Sequence, residues 1–238
     1  MIQLFTGFVG SGKSYNATRI ATMVADAPLG NRWVIANFPI KKKKRFLSFL
    51  RRGEKKYIEP RWIYKPNEEL TVKFLIEESL RRGWNKKESS ALIVFDEASI
   101  PFNARTFQRS DRLEWIKFLS QSRKFGYDVI FITQDARMLD KQIRALCEYE
   151  VVHKKLNNYV YFKWLSLFGI TLFAAVSYWN GLNARYTRGQ LSLFIYRKKI
   201  AERYDSLRLF DVDVSAKDND ATAEQEKGPR ASATQGGF

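Results

Sequence analysis

A chain of 238 residues can bury one sizeable core with an appendage but not two full-sized domains. Its 45% hydrophobic, 15% aromatic and 28% charged residues exclude a fibrous or wholly disordered protein. Forty-one Lys and Arg against 25 Asp and Glu leave a net charge of +16, the balance of a body that meets a polyanion, either nucleic acid or an anionic membrane surface.

Residues 2–6 are predicted as a short buried strand running straight into Gly7-Phe-Val-Gly10-Ser11-Gly12-Lys13-Ser14, after which 13–27 reads as a helix that stops near Pro28 and Gly30. No basic segment with a long apolar stretch opens the chain, so no signal peptide is expected. Residues 33–37 form a second predicted strand. An insertion at 41–61 follows, with ten basic residues against two acidic ones. Residues 68–82 have helical spacing, and 91–95 is a continuous apolar run, as a parallel strand covered on both faces requires, ending on Asp96 and Glu97. A helix at 113–125, a buried strand at 128–133, a short helix at 140–147 and a strand at 149–153 complete the predicted core. The single Cys147 allows no intrachain disulfide and, with the lone His153, no metal site; a reducing, cytosolic setting fits.

Strands and helices alternate, which predicts an α/β sandwich on a mostly parallel central sheet, here placed over 1–158. The next part, 159–211, is apolar and aromatic. Its sixteen uncharged residues 164–179 would span about 24 Å as a helix, short of the roughly 30 Å of a bilayer's hydrocarbon. A β-hairpin with 191–196 as partner strand is the favoured reading and a membrane-inserted helix the alternative. From 212 to 238, small, polar and charged residues predict a disordered tail.

The glycine-rich octapeptide between a strand and a helix is a P-loop, which places the fold among the P-loop NTPases. Gly7, Gly10 and Gly12 permit the close backbone approach that converging N–H donors on phosphate require, with Ser11 and Tyr15 beside them in the nucleotide contact. Lys13 would reach the β and γ phosphates of ATP, and the Ser14 hydroxyl would bind Mg2+. Asp96, at a strand end, would hold the same ion, with Glu97 polarising the attacking water. That acid pair favours hydrolysis over phosphoryl transfer to a small molecule. Gln134, just past the strand 128–133, would face the crevice at the strands' carboxyl ends and sense the γ phosphate or position water. Arg105, Arg109, Arg123 and Arg144 are candidates for an arginine finger, with Arg123 the first choice because it ends a helix just before that strand.

The order of these motifs resembles the zonular occludens toxin (Zot) family, the assembly ATPases of filamentous phages, within the FtsK/HerA class of DNA-pumping motors. The resemblance covers about residues 1–155. It is carried by 1–15, by Val34-Ile-Ala-Asn37-Phe-Pro39-Ile, by Phe95-Asp96-Glu97-Ala98, by Ser122-Arg123-Lys124-Phe125-Gly126-Tyr127-Asp128, by Thr133-Gln134 and by Ile143-Arg144-Ala-Leu. In size the chain is similar to the packaging ATPases of membrane-containing icosahedral phages. The resemblance implies a ring homo-oligomer, with a hexamer as candidate, each site completed by a neighbour's arginine. It implies work on phage DNA, by packaging or extrusion, alongside capsid or assembly proteins. The expected setting is the host cytoplasm, the inner face of a viral or host membrane, or the virion.

Lys41, Lys42, Lys43, Lys44, Arg45, Arg51 and Arg52, interleaved with Phe46, Phe49, Tyr57 and Trp62, suit a salt-dependent, sequence-indifferent contact with DNA phosphates. A solvated loop and a contact with anionic lipid headgroups are the other readings of this stretch.

Overall fold

The structure is a computed structural model that describes residues 1–28, 30–44, 57–103, 111–179 and 188–204. Its strands are β1 (Ile2–Thr6), β2 (Trp33–Ala36), β3 (Lys43–Lys44), β4 (Tyr57–Ile58), β5 (Trp62–Tyr64), β6 (Ala91–Phe95), β7 (Tyr127–Ile132), β8 (Tyr149–Lys155), β9 (Leu172–Trp179) and β10 (Arg188–Ile195). The α-helices are α1 (Lys13–Asp26), α2 (Val72–Arg82), α3 (Arg112–Ser120), α4 (Lys141–Leu146) and α5 (Lys198–Ala201).

Eight strands form one sheet in the order β10-β9-β8-β1-β7-β6-β2-β5, while β3 and β4 pair apart from it. Every pairing from β8 to β5 is parallel. The continuous apolar run of β6 follows from this, because both faces of its strand are covered. Leu92 and Val94 pack with Ala17, Ala21 and Ala25 of α1 on one face. Ile93 and Phe95 pack on the other with Leu75 of α2 and Trp115 of α3. The small alanines let α1 lie close to the sheet, which brings the loop before it near the strand ends.

The mostly parallel sheet and the hairpin are as the sequence predicts, with different limits. β9 pairs antiparallel with β8 and β10 with β9, so residues beyond 158 continue the sheet. The hairpin begins at Leu172, because Val160–Phe168 forms a 3-10 helix in which Val160, Tyr161, Leu167 and Phe168 are exposed. Among the described residues no helix is long and apolar enough to cross a membrane. The helix expected over 113–125 divides into α3 and a 3-10 turn, Ser122–Phe125, closed by Gly126 at φ 77°. β5, at the far edge, was not expected; three residues are too few to carry a period. Arg45, Arg51, Arg52, Arg105, Arg109 and the tail 212–238 lie outside the described residues.

Candidate active site

β1 runs out at Thr6, and the loop turns through glycines in conformations other residues rarely adopt. Gly7 has φ 139°, and a Cβ there would stand 2.6 Å from the His153 carbonyl oxygen. Gly12 has φ 90°, and its Cβ would meet the Phe173 ring at 2.8 Å. The first glycine therefore fits against β8 and the last against the hairpin. The Gly7 amide donates to the Gln134 carbonyl at 3.2 Å, since β7 lies beside β1.

Lys13 is buried, and its ammonium donates to the carbonyls of Gly7 at 2.8 Å and Phe8 at 3.2 Å. Burial pushes its pKa down, while Glu97 and Asp96 pull it up. The charge stands inside the curve of the loop, where phosphate oxygens would lie. Ser11 Oγ is buried without a protein partner, a donor free for a ligand.

The Ser14 hydroxyl donates to Asp96 Oδ1 at 3.0 Å, bringing together two residues 82 positions apart. Two hard oxygens facing each other at the end of a P-loop are the donor set that suits Mg2+. When bound, that ion would neutralise charge on the β and γ phosphates. Asn37 fixes the backbone of Asp96 from both sides: its Nδ2 donates to the Asp96 carbonyl and its Oδ1 accepts the Asp96 amide, each at 2.8 Å. Glu97 follows at φ 48°, a strained conformation for a residue with a side chain, and its amide donates to Asp96 Oδ1 at 3.1 Å. Burial, and then the neighbouring Asp96, raise the Glu97 pKa, against an opposing pull from Lys13. Those shifts suit a carboxylate that must accept a proton from water. Gln134 is exposed beside the loop, at the carboxyl end of β7 as expected.

Other expected residues stand elsewhere. Tyr15 turns to the hairpin: its hydroxyl donates to the Ile195 carbonyl at 3.1 Å and accepts the Arg197 amide at 2.8 Å. Its ring stacks on Phe194 at 6.1 Å. Arg123 lies in the turn that enters β7, at the end of the strand opposite Gln134, paired with Glu88 at 3.3 Å. Preceding a strand in a parallel sheet puts a residue at the amino edge, so Arg123 does not reach the loop of its own chain. Arg144 donates to the Ala136 carbonyl at 3.3 Å. Within the basic insertion Lys41 and Lys42 are exposed, and Lys42 pairs with Glu59. Arg61 is spent on the carbonyls of Arg32 and Ala27.

Three contributors were not expected. In the sequence Asn37 stands out only as part of the motif at residues 34–40. Buried His153 holds Nδ1 3.0 Å from the Val151 carbonyl and Nε2 3.0 Å from Asn16 Nδ2 of α1, and burial pushes its pKa down to about 4. It is a neutral brace between β8 and α1. Tyr204 donates its phenol to Asp96 Oδ2, and burial raises its pKa well above the ordinary tyrosine value.

The sequence profile described as Zonular occludens toxin (Zot) matches residues 1–178. The chain belongs to the Zot family. Among its relatives, the Gene 1 protein of Escherichia phage If1 is 35% identical over 83 residues, 34% of this chain and 24% of that protein. The Gene 1 protein of Enterobacteria phage I2-2 is 40% identical over 73 residues, 30% of this chain and 20% of that protein. The matched stretch thus spans a fifth to a quarter of these relatives' length. The N-terminal domain of the family's zonular occludens toxin from Neisseria meningitidis is similar at a TM-score of 0.49 and 18% identity, covering 86% of this chain and 98% of that one. The genome packaging NTPase B204 from Sulfolobus turreted icosahedral virus 2, in complex with AMP, is similar at a TM-score of 0.46 and 15% identity, covering 82% and 96%.

Proposed function

We propose that this chain is an ATP-hydrolysing motor that moves phage DNA during virion assembly, by packaging or by extrusion. The observation that carries the reading is the Ser14–Asp96 contact at 3.0 Å, with Glu97 held in a strained turn beside it and Gln134 at the neighbouring strand end. The loop amides and Lys13 would bind the phosphates of ATP, Ser14 and Asp96 would hold Mg2+, which would supply charge neutralisation, and Glu97 would take a proton from the attacking water while Gln134 orients it. Tyr15 acts on the nucleotide only indirectly, by packing the helix behind the loop.

The work is on DNA because the body is strongly basic, +16 overall, and residues 41–61 concentrate that charge. Membership of the Zot family and similarity to phage Gene 1 proteins agree with work in phage assembly. Arg123 can serve as a finger only in trans, on the site of a neighbour in a ring, which is also how a hexamer would complete each site. Purified protein should release phosphate from ATP in the presence of Mg2+, and DNA should stimulate the rate at low salt. Replacing Lys41, Lys42, Lys43 and Lys44 by Gln should remove the stimulation while leaving the DNA-free rate. A rate indifferent to DNA at low salt would overturn the motor reading.

One observation favours a second reading, a membrane-associated assembly protein that uses ATP as a conformational switch: Val160, Tyr161, Leu167 and Phe168 stand at 70% exposure or more. Slow, DNA-independent turnover together with binding to anionic vesicles would favour it.

A further inference from the structure

Beyond β10 the chain turns through α5 and comes back to the site, to a place the sequence motifs do not mark. Residues Arg203 and Tyr204 return along Ile40 and Lys41. The Lys41 amide donates to the Arg203 carbonyl at 3.0 Å, and Ile40 and Tyr204 form an antiparallel bridge. Arg203 Nε donates to the Lys41 carbonyl at 3.0 Å, and its guanidinium pairs with Asp26 at the end of α1, both side chains being nearly buried. The Tyr204 ring stands edge-on to Phe38 at 5.0 Å. Thus fixed on three sides, it delivers its hydroxyl to Asp96.

The two oxygens of Asp96 have different partners. Oδ1 accepts from the Ser14 hydroxyl and the Glu97 amide, and it is the oxygen that shares the metal corner with Ser14. Oδ2 accepts from Tyr204. A carboxylate with one oxygen on each of two anchors cannot turn about its own axis, so the face it offers beside Ser14 is set by a phenol on its far side.

We propose that Tyr204 is a positioning residue for the metal corner of the nucleotide site, and that through Arg203 it ties that corner to the root of the basic insertion at Ile40 and Lys41. The inference rests on the reading of Ser14 and Asp96 as Mg2+ ligands. The path is a contiguous run of contacts: Asp96 to the Tyr204 hydroxyl, Tyr204 to Ile40 through the bridge, and Arg203 to both carbonyl and amide of Lys41, where residues 41–61 begin. A change in how Asp96 is held is therefore felt where the cationic stretch leaves the sheet, without passing through the loop or α1.

The test is the affinity of the full chain, with ATP-γS bound, for Mn2+, read by electron paramagnetic resonance, with ATP-γS affinity in EDTA as the metal-free reference. Tyr204→Phe keeps the ring on Phe38 and removes only the hydroxyl. It should weaken Mn2+ binding about tenfold while leaving the EDTA value unchanged, the cost of one hydrogen bond to a charged group. Arg203→Gln leaves the phenol but loosens its support, and should weaken Mn2+ binding about threefold. Wild-type Mn2+ affinity in Tyr204→Phe would overturn the positioning role, and wild-type affinity in Arg203→Gln would overturn the tie to the insertion. Equal losses in Mn2+ and in metal-free nucleotide binding would show a general structural role instead. If the unsubstituted chain with ATP-γS binds no Mn2+, the metal-ligand reading of Ser14 and Asp96 fails, and this inference with it.

Discussion

Where β1 and β6 end, polar side chains are held by partners drawn from distant parts of the chain: Ser14 by Asp96, Asp96 by Asn37 and Tyr204, and His153 by Asn16. On the flank where β9 and β10 extend the sheet, Phe173 to Val176 of β9 are buried on both faces, and only the edge strand β10 has one face packed and the other in solvent. Phe173 and Phe194 are buried against α1, whereas Leu191, Leu193 and Ile195 on alternate positions of β10 are each about half exposed. The contrast follows from what each region must do. Phosphate chemistry needs oxygens and a positive charge fixed within a fraction of an ångström, so the corner is braced from several elements. The flank gives the loop its backing through the face that carries Phe173 and Phe194. The join is Gly12, whose missing side chain lets Phe173 lie directly under the loop.

Removing the hairpin's backing of the loop should have the largest effect. Phe173→Ala should cost about 3–5 kcal/mol in urea unfolding and weaken nucleotide binding, because the cavity lies beneath Gly12. An unchanged nucleotide affinity in the folded variant would show that the loop stands without the hairpin.

His153 offers the next largest effect. Its folded pKa of about 4 lies below the ordinary histidine value of 6.5, so between the two the unfolded chain binds a proton that the folded one does not. Stability should be fully present above that ordinary value and fall by up to about 3 kcal/mol as pH drops through the window. Thermal unfolding against pH should show this slope, and His153→Asn should flatten it.

Asn37→Ala removes both bonds that clasp the backbone of Asp96 and should cost about 1–3 kcal/mol, with a larger relative loss in Mn2+ affinity than in metal-free nucleotide binding. At the small end, Leu167→Ser on the exposed 3-10 helix should change stability by less than about 0.5 kcal/mol. A larger loss there would mean that this surface is packed against something in solution.

These two regions also differ in how far they could be read from the sequence. The loop and the acid pair are local signals: eight consecutive residues after a strand, and two carboxylates closing an apolar run. The strand direction then puts Gln134 at the same end. The same rule, applied to Arg123, places it at the opposite end, since a turn entering a parallel strand lies at its amino edge. Asn37 and Tyr204 carry no local mark, because their partner Asp96 is 59 and 108 positions away. The hairpin was recognisable as apolar and β-branched, but not its start: residues 160–168 are as aromatic as the strand that follows, and pairing with β8 separates them. Nothing in the spacing of 188–195 tells which face of β10 is packed.

On the proposed reading, Glu97 activates water at a site whose binding parts are separate from it. The direct measurement is steady-state phosphate release with saturating Mg2+ and ATP, set beside ATP affinity, in wild type and Glu97→Gln across pH. In the wild type, the rate should rise with pH through an acidic limb lying above the usual carboxylate range, since burial and Asp96 raise the Glu97 pKa. In Glu97→Gln, turnover should fall by about a hundredfold or more and that limb should disappear, while ATP still binds. Turnover at the wild-type rate with the same acidic limb would show that Glu97 does not activate the water.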